Sequence, residues 1–338
     1  MTTRSTSPLR GHPEFSRVRR AVLGSALLAL GLPGQAQAQS QNYPSKPIRV
    51  VIPTAAGGPV DIVGRLMANK MSKSMGQAMP VENRGGAAGF IGTDIVAKAP
   101  PDGYTLLSDS GGHISNALFN PDPPYDVIKD FAPVTLVAKN YGQVLVVHPG
   151  VPAKSLQELI ALAKAQPGKL SYGGSFGSIL SIAAEVMKIE AAVDVVGVDY
   201  KGAGPAMSDL LGGHIDMIFA GTQQALPLIQ SGKLRAIAIT GPKRWKGLPD
   251  VPTVAEAGLA RLEMVGWFGL WLPRGTPPAV VNRVHAEAVK ALGDAEVMVQ
   301  LEKLGLEPSG MRPEEFIRFE GADHAAMRTL ASKVLAKR

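Results

Sequence analysis

Residues 46–61 read Lys-Pro-Ile-Arg-Val-Val-Ile-Pro-Thr-Ala-Ala-Gly-Gly-Pro-Val-Asp, and this stretch decides the fold. Ile48, Val50, Val51 and Ile52 form a short run that is apolar on both faces, the mark of a strand buried in a parallel sheet. Gly57 and Gly58 follow, then Pro59 where a first helical turn would begin, with Asp61 just inside it. Val63, Leu66, Met67 and Met71 then line one helical face. Strand, small-residue loop and helix start together make a cradle of backbone N–H groups that attracts an anion without a basic side chain. The same residues also suit a tight turn whose glycines serve packing alone. Asp61 has a plain role too, because an acid in the first turn stabilises any helix.

The unit recurs along the chain. Ala78–Glu82 reads as a second strand, followed by a glycine-rich loop and a helix carrying Ile91, Ile95 and Val96. Tyr104–Ser108 reads as a third, ending in Asp109-Ser110-Gly111-Gly112-His113. Ser155 is a good N-cap for a helix over Leu156–Ala165. Three more strands then lead into loops: Leu170–Tyr172 into Gly173–Ser178, Val193–Val198 into Asp199–Pro205, and Ile215–Phe219 into Ala220–Thr222. Leu234–Ile239 is a further strand. Between the two sets lie the apolar pieces Val134–Val137 and Val144–Val147, and a third, Val265–Leu272, lies beyond them. The chain is therefore expected to cross between two lobes near 134–143 and again near 262–270. After the second crossing only helices are expected, at Val280–Leu292, Ala295–Leu304 and from Pro313 onward. Alternating strands and helices predict an α/β protein with mainly parallel sheets and helices on both faces.

Composition narrows the function. A chain of 338 residues with 45% apolar content can build two cores, and with no cysteine it has no disulfide, thiol nucleophile or cysteine metal site. Arg17, Arg19 and Arg20 precede an apolar run from Ala21 to Leu32, and Ala36-Gln37-Ala38 offers a small-residue cleavage site. Residues 1–38 are thus expected to be a signal peptide cleaved after Ala38, with the mature protein exported to the periplasm. The run is too short to span a bilayer, and no later stretch is long and apolar enough. Beyond residue 38 there are 30 basic and 27 acidic residues, a net of +3, and no basic run with interleaved aromatics. That balance argues against a nucleic-acid partner.

In open α/β sheets a ligand lies beyond the carboxyl ends of the strands, where loops 54–59, 109–113, 173–178, 199–204 and 220–222 gather. Each helix start there favours negative charge by about 0.3–1 kcal/mol. The candidate ligand residues are Thr54, Ala55, Ala56, Gly57, Gly58, Asp61, Ser110, Gly111, His113, Ser175, Phe176, Gly177, Ser178, Asp199, Tyr200 and Thr222. One motif points elsewhere. Gly173-Gly174-Ser175-Phe176-Gly177 fits the G-x-S-x-G elbow of α/β hydrolases, with Asp216 or Asp250 and His285 or His324 formally in order. Against that stands a simple backbone-and-hydroxyl ligand loop. Gly202-Ala203-Gly204 lacks the third small residue of a dinucleotide loop, since Met207 stands there, and no phosphate loop exists. The five histidines beyond residue 38 are scattered, so neither cofactor nor metal is expected. Trp267 and Trp271 suit core or hinge packing, or an aromatic shelf for a ligand.

The chain resembles the Bordetella-type uptake receptors, the TctC-like extracytoplasmic receptors of tripartite tricarboxylate transport systems. The resemblance is carried by Tyr43-Pro44-x-Lys46-Pro47-Ile48-Arg49, Ala56-Gly57-Gly58-x-x-Asp61, Glu82-Asn83-Arg84, Pro101-Asp102-Gly103-Tyr104-Thr105 and Gly177-Ser178. It continues through Tyr200-Lys201-Gly202, Asp209–Gly213, Pro249–Thr253 and Glu256-Ala257-Gly258. It implies a two-lobed periplasmic binding protein fold of type II, a Venus flytrap, in a monomeric protein that is not an enzyme. The lobes it implies are 39–140 with 263–338, and 141–262. The implied ligand is a small carboxylate held by backbone N–H groups and ordered water, and the implied partners are membrane transporter subunits. The chain departs from the family pattern at Thr54, Ser181, Gly197 and Asp199, which are expected to face the ligand.

Overall fold

The computed structural model describes residues 1–3, 43–119, 122–174 and 178–335. Residues 1–45 form a unit of their own, and residues 46–338 form the body that carries the sheets. The signal peptide expected over 1–38 falls almost wholly outside the described residues.

The strands are β1 (Arg49–Ile52), β2 (Val81–Asn83), β3 (Thr105–Ser110), β4 (Phe131–Asn140), β5 (Gln143–Val147), β6 (Ser171–Gly174), β7 (Val196–Asp199), β8 (Met217–Gly221), β9 (Arg235–Ile239), β10 (Trp267–Pro273) and β11 (Leu306–Pro308). The helices are α1 (Pro59–Met75), α2 (Phe90–Ala97), α3 (Gly112–Phe119), α4 (Leu156–Ala165), α5 (Ile179–Ala191), α6 (Ala203–Leu211), α7 (Thr222–Gln230), α8 (Pro278–Leu292), α9 (Ala295–Lys303) and α10 (Pro313–Leu335). One sheet has the order β11-β4-β10-β3-β1-β2, the other β7-β6-β8-β5-β9.

Inside each sheet one antiparallel strand interrupts a parallel set, and the first sheet carries a second antiparallel strand, β11, at its edge. β1 pairs parallel with β2 and β3, whereas β10 is antiparallel to both β3 and β4. In the second sheet β6 pairs parallel with β7 and β8, and β5 is antiparallel to β8 and β9. The reason is topological. Parallel strands deliver the chain to the loop edge of their sheet, so a strand entering there from the other lobe must run away from that edge. β5 and β10 are the first strands after each crossing.

The crossings are tied side by side. Asn140 N donates to Gly266 O at 2.8 Å, and Gly266 N returns a bond to Asn140 Oδ1 at 2.8 Å. Thr240, fully buried, accepts from Gln143 N at 2.8 Å and donates to Met264 O at 2.6 Å. Backbones approach so closely that a Cβ on Gly142, whose φ is +105°, would stand 2.2 Å from Gly241 N. Only glycine fits there.

Two features differ from the sequence reading. The tail holds a strand, β11, paired antiparallel to the edge of β4. Three residues ending in Pro308 carry no alternation to read, and a proline is tolerated because an edge strand can spare an N–H. The last helix, read as part of the return to the first lobe, also touches the second. Its start buries Phe316 beside Trp271 in the first core, while Met327 and Leu330 pack on the second core and Lys333 stands 3.6 Å from Glu190 of α5.

Candidate ligand-binding site

Between the loop edges of the two sheets lies a cavity of about 360 Å³. The first lobe supplies Pro59 and Val60 at the start of α1, and Ser110, Gly111 and Gly112 at the start of α3. The second lobe supplies Ser178 and Ile179 at the start of α5, where the Ser178 hydroxyl accepts from Ser181 N at 3.3 Å. The crossings add Asn140, Val265 and Gly266, with Trp267 and Phe268 beyond them, and α10 adds Asp323 and Met327. Among these described residues there is no lysine, arginine or histidine.

The structure thus brings Ser110, Gly111 and Ser178 together from the sequence candidates. Ser175, Phe176 and Gly177 lie outside the described residues. Thr54, Ala55, Ala56, Gly57 and Gly58 form the loop that leads to Pro59, yet they do not line the cavity themselves. Gly57 N donates to Asp61 Oδ2 at 2.9 Å, so that N–H serves the loop. Asp61 is buried and also accepts from Arg65 Nε and Asn83 Nδ2. Burial works against its charge, but the Gly57 N–H, Arg65 and Asn83 outweigh it and hold its carboxyl below the usual range. Asp61 holds the loop's shape.

His113 is not at the cavity wall. Its ring is buried in the first core, with Nδ1 2.9 Å from Ser110 O and the Trp271 ring centroid 4.6 Å away. Nε2 stands 3.6 Å from Glu320 Oε1, an ion-pair distance. Burial opposes its charge, but Glu320 and Asp109 prevail and raise its pKa. Burial pushes the Asp109 carboxyl up to about 6. Tyr200 donates to Asp209 Oδ2 at 2.6 Å, and that bond, with burial, pushes its hydroxyl up to about 12. Thr222 is buried against Gly305, where an added Cβ would stand 2.4 Å from its Oγ1.

Asp199 lines a different hollow of about 550 Å³, set against the edge of the second sheet between α5 and β7. Ser181 and Gly197 line it too, so three of the four departures from the family pattern meet there rather than at the interlobe cavity. Tyr172 donates to Glu185 in its wall. The smaller interlobe cavity is the stronger candidate for a ligand site, because residues of both lobes and both crossings line it.

Asn116, which lines the cavity from α3, and Asn140, Asp323 and Met327 are not among the sequence candidates. Asn140 had a signal, a polar residue at the end of an apolar run where the chain crosses. Asp323 and Met327 had none, because their helix reaches the cavity only through tertiary packing.

Residues 63–334 match the family described as the tripartite tricarboxylate transporter family receptor. The chain belongs to this receptor family. Its relatives include a Pseudomonas sp. protein encoded in the tcbD-tcbE intergenic region, 38% identical over 89% of this chain and 90% of the relative. Protein BugT of Bordetella pertussis is 35% identical over 87% of this chain and 90% of its own. A solved periplasmic transporter is 44% identical with a TM-score of 0.75, covering 86% of this chain and 98% of that one. A Rhodopseudomonas palustris protein solved with adipate is 34% identical, with a TM-score of 0.75 and coverages of 86% and 98%. MatC from the same species, solved with malate, is 32% identical, with a TM-score of 0.73 and coverages of 86% and 100%. The tripartite tricarboxylate receptor fold is accordingly the two-lobed periplasmic binding fold of type II. These receptors bind solutes and are not enzymes. Of the residues the hydrolase alternative would use, Asp216 accepts from the Ser171 N–H and hydroxyl just before β8, His285 of α8 stands 3.4 Å from Gly310 O, and Ser175 lies outside the described residues.

Proposed function

We propose that the protein captures a small organic carboxylate between its lobes and hands it to the membrane subunits of a tripartite tricarboxylate-type transporter. Mono- and dicarboxylates, aromatic ones included, fall within the class. The observation that carries the reading is the convergence of three helix starts, α1, α3 and α5, on one cavity without a basic side chain among its described lining residues. Each start favours a negative charge by about 0.3–1 kcal/mol, and by more when partly buried. The relatives solved with adipate and malate support the ligand class.

Residues 39–140 and 263–338 form one lobe in this reading, and 141–262 the other. A ligand bridging them stabilises the closed state by its differential affinity for it. Export to the periplasm after cleavage at Ala38, and action as a monomer, complete the proposal.

A thermal-shift panel of carboxylates, sugars and cationic amino acids tests it. A binding carboxylate at a hundredfold excess over its Kd adds about 2.7 kcal/mol of stability. Stabilisation by sugars or cations with none by any carboxylate would refute the proposal.

A further inference from the structure

We propose that Asp323 selects the ligand: the cavity takes a carboxylate that also carries a hydrogen-bond donor, an ammonium or hydroxyl group, and the Asp323 carboxylate accepts from that donor. The inference rests on the carboxylate reading and narrows it.

Asp323 is the one charged side chain among the described residues lining the cavity. A carboxylate offers about four lone-pair sites. Asp323 has one printed bond, from Trp267 Nε1 at 3.3 Å, long for a bond to a charged acceptor. No described cation pairs with it. Lys139 Nζ sits instead over the Phe319 ring, 4.4 Å from its centroid. Burial pushes the Asp323 carboxyl above the usual range, and the Trp267 N–H and the more distant charges of His113 and Lys139 offset it only in part.

Glu320, one turn earlier on α10, makes the contrast. It takes Trp271 Nε1 at 2.9 Å and stands 3.6 Å from His113, inside the core. Asp323 borders open space. Asp323 is half-buried, and an acid drawn out of water beside a cavity gains from any group that donates to it there; the ligand is the group that arrives. The helix starts call for an anion in the same space. A ligand meeting both demands carries carboxylate and donor together, whereas a plain dianion sets its second carboxylate against Asp323.

The test is titration calorimetry with six probes on one skeleton: hexanoate, 2-hydroxyhexanoate, 6-hydroxyhexanoate, 2-aminohexanoate, 6-aminohexanoate and adipate. At least one donor-bearing probe should bind about tenfold or more tighter than both hexanoate and adipate. In Asp323→Asn, which keeps the shape and removes the charge, that margin should shrink by about tenfold and adipate should gain. The melting curve of the ligand-free variant checks its fold, and the wild-type ranking alone remains decisive if the variant fails to fold. Hexanoate or adipate binding as tightly as every donor-bearing probe would overturn the inference and leave the carboxylate reading standing. A uniform loss across all binding probes in a folded variant would also overturn it, because support of Trp267 alone predicts that pattern. Binding by none of the six would overturn the inference, since no donor-bearing probe would then show the margin, while the carboxylate reading is decided by the thermal-shift panel.

Discussion

Replacing Thr240 by Val tests whether the crossings are held by one buried hydroxyl. Val keeps the branched shape and removes only the hydroxyl. In the native protein that hydroxyl accepts from Gln143 N at 2.8 Å and donates to Met264 O at 2.6 Å, so it joins the start of β5 to the returning strand. Thr240 is wholly buried, and water cannot take over either bond without opening the crossing. Each orphaned backbone group then costs about 1–3 kcal/mol, so the pair costs about 2–6 kcal/mol. For a chain of this size that corresponds to a fall in Tm of roughly 5–15 °C. Urea unfolding followed by circular dichroism measures it, with Thr240→Ser as the control that keeps both bonds and loses only a methyl, about 1 kcal/mol. A folded Thr240→Val protein losing less than about 0.5 kcal/mol would refute the reasoning.

Two further outcomes follow from the first lobe. The Asp109 carboxyl, pushed up to about 6, binds a proton in the folded state at pH values where the unfolded chain has released it. The folded state therefore holds more protons between about pH 4 and 6, and stability from this group falls as pH rises through that window, by on the order of 3 kcal/mol. Comparing wild type with Asp109→Asn by urea unfolding across pH 4–7 should show that decline only in the wild type; parallel curves would count against it. Gly111→Ala puts a Cβ 2.6 Å from the Trp267 ring, which should cost about 1–3 kcal/mol and weaken binding of any ligand in the cavity. Unchanged melting and affinity in that variant would show that the ring has room to retreat.

Legibility followed the range of the interactions. Helix α4 is recovered to the residue because its start is local: Ser155 accepts from Glu158 N, and the apolar spacing begins at the next position. The β1–loop–α1 unit is local as well, with Val50, Val51 and Ile52 buried as the apolar run requires. The loop's chemistry was harder. Nothing in Gly57-Gly58-Pro59-Val60-Asp61 says whether the acid turns outward to a ligand or inward to Gly57 N, and Asn83 on a neighbouring strand helps decide it. His113 looked like a crevice residue because it follows Ser110-Gly111-Gly112. Its ring instead points into a hollow bounded by Trp271 and Glu320, far along the chain. Asp323 and β11 were invisible for the same reason. Their surroundings are made by segments distant in sequence, and no periodicity reports that.

The place of β10 governs the order in which the molecule can be made. It lies between β3 and β4, both synthesised long before it. A growing chain therefore carries two fragments of the first sheet, each with an unpaired edge where β10 will later fit. The second sheet needs nothing beyond β9 and can close earlier. Until residue 273 emerges, the first lobe presents open strand edges of the kind that invite pairing with other chains. Nascent chains halted at residue 262 should show a protease-resistant second sheet beside a cleavable first one. The strand that walls the ligand cavity is thus also the last central piece of its sheet, so a chain cannot complete the site before it has nearly completed itself.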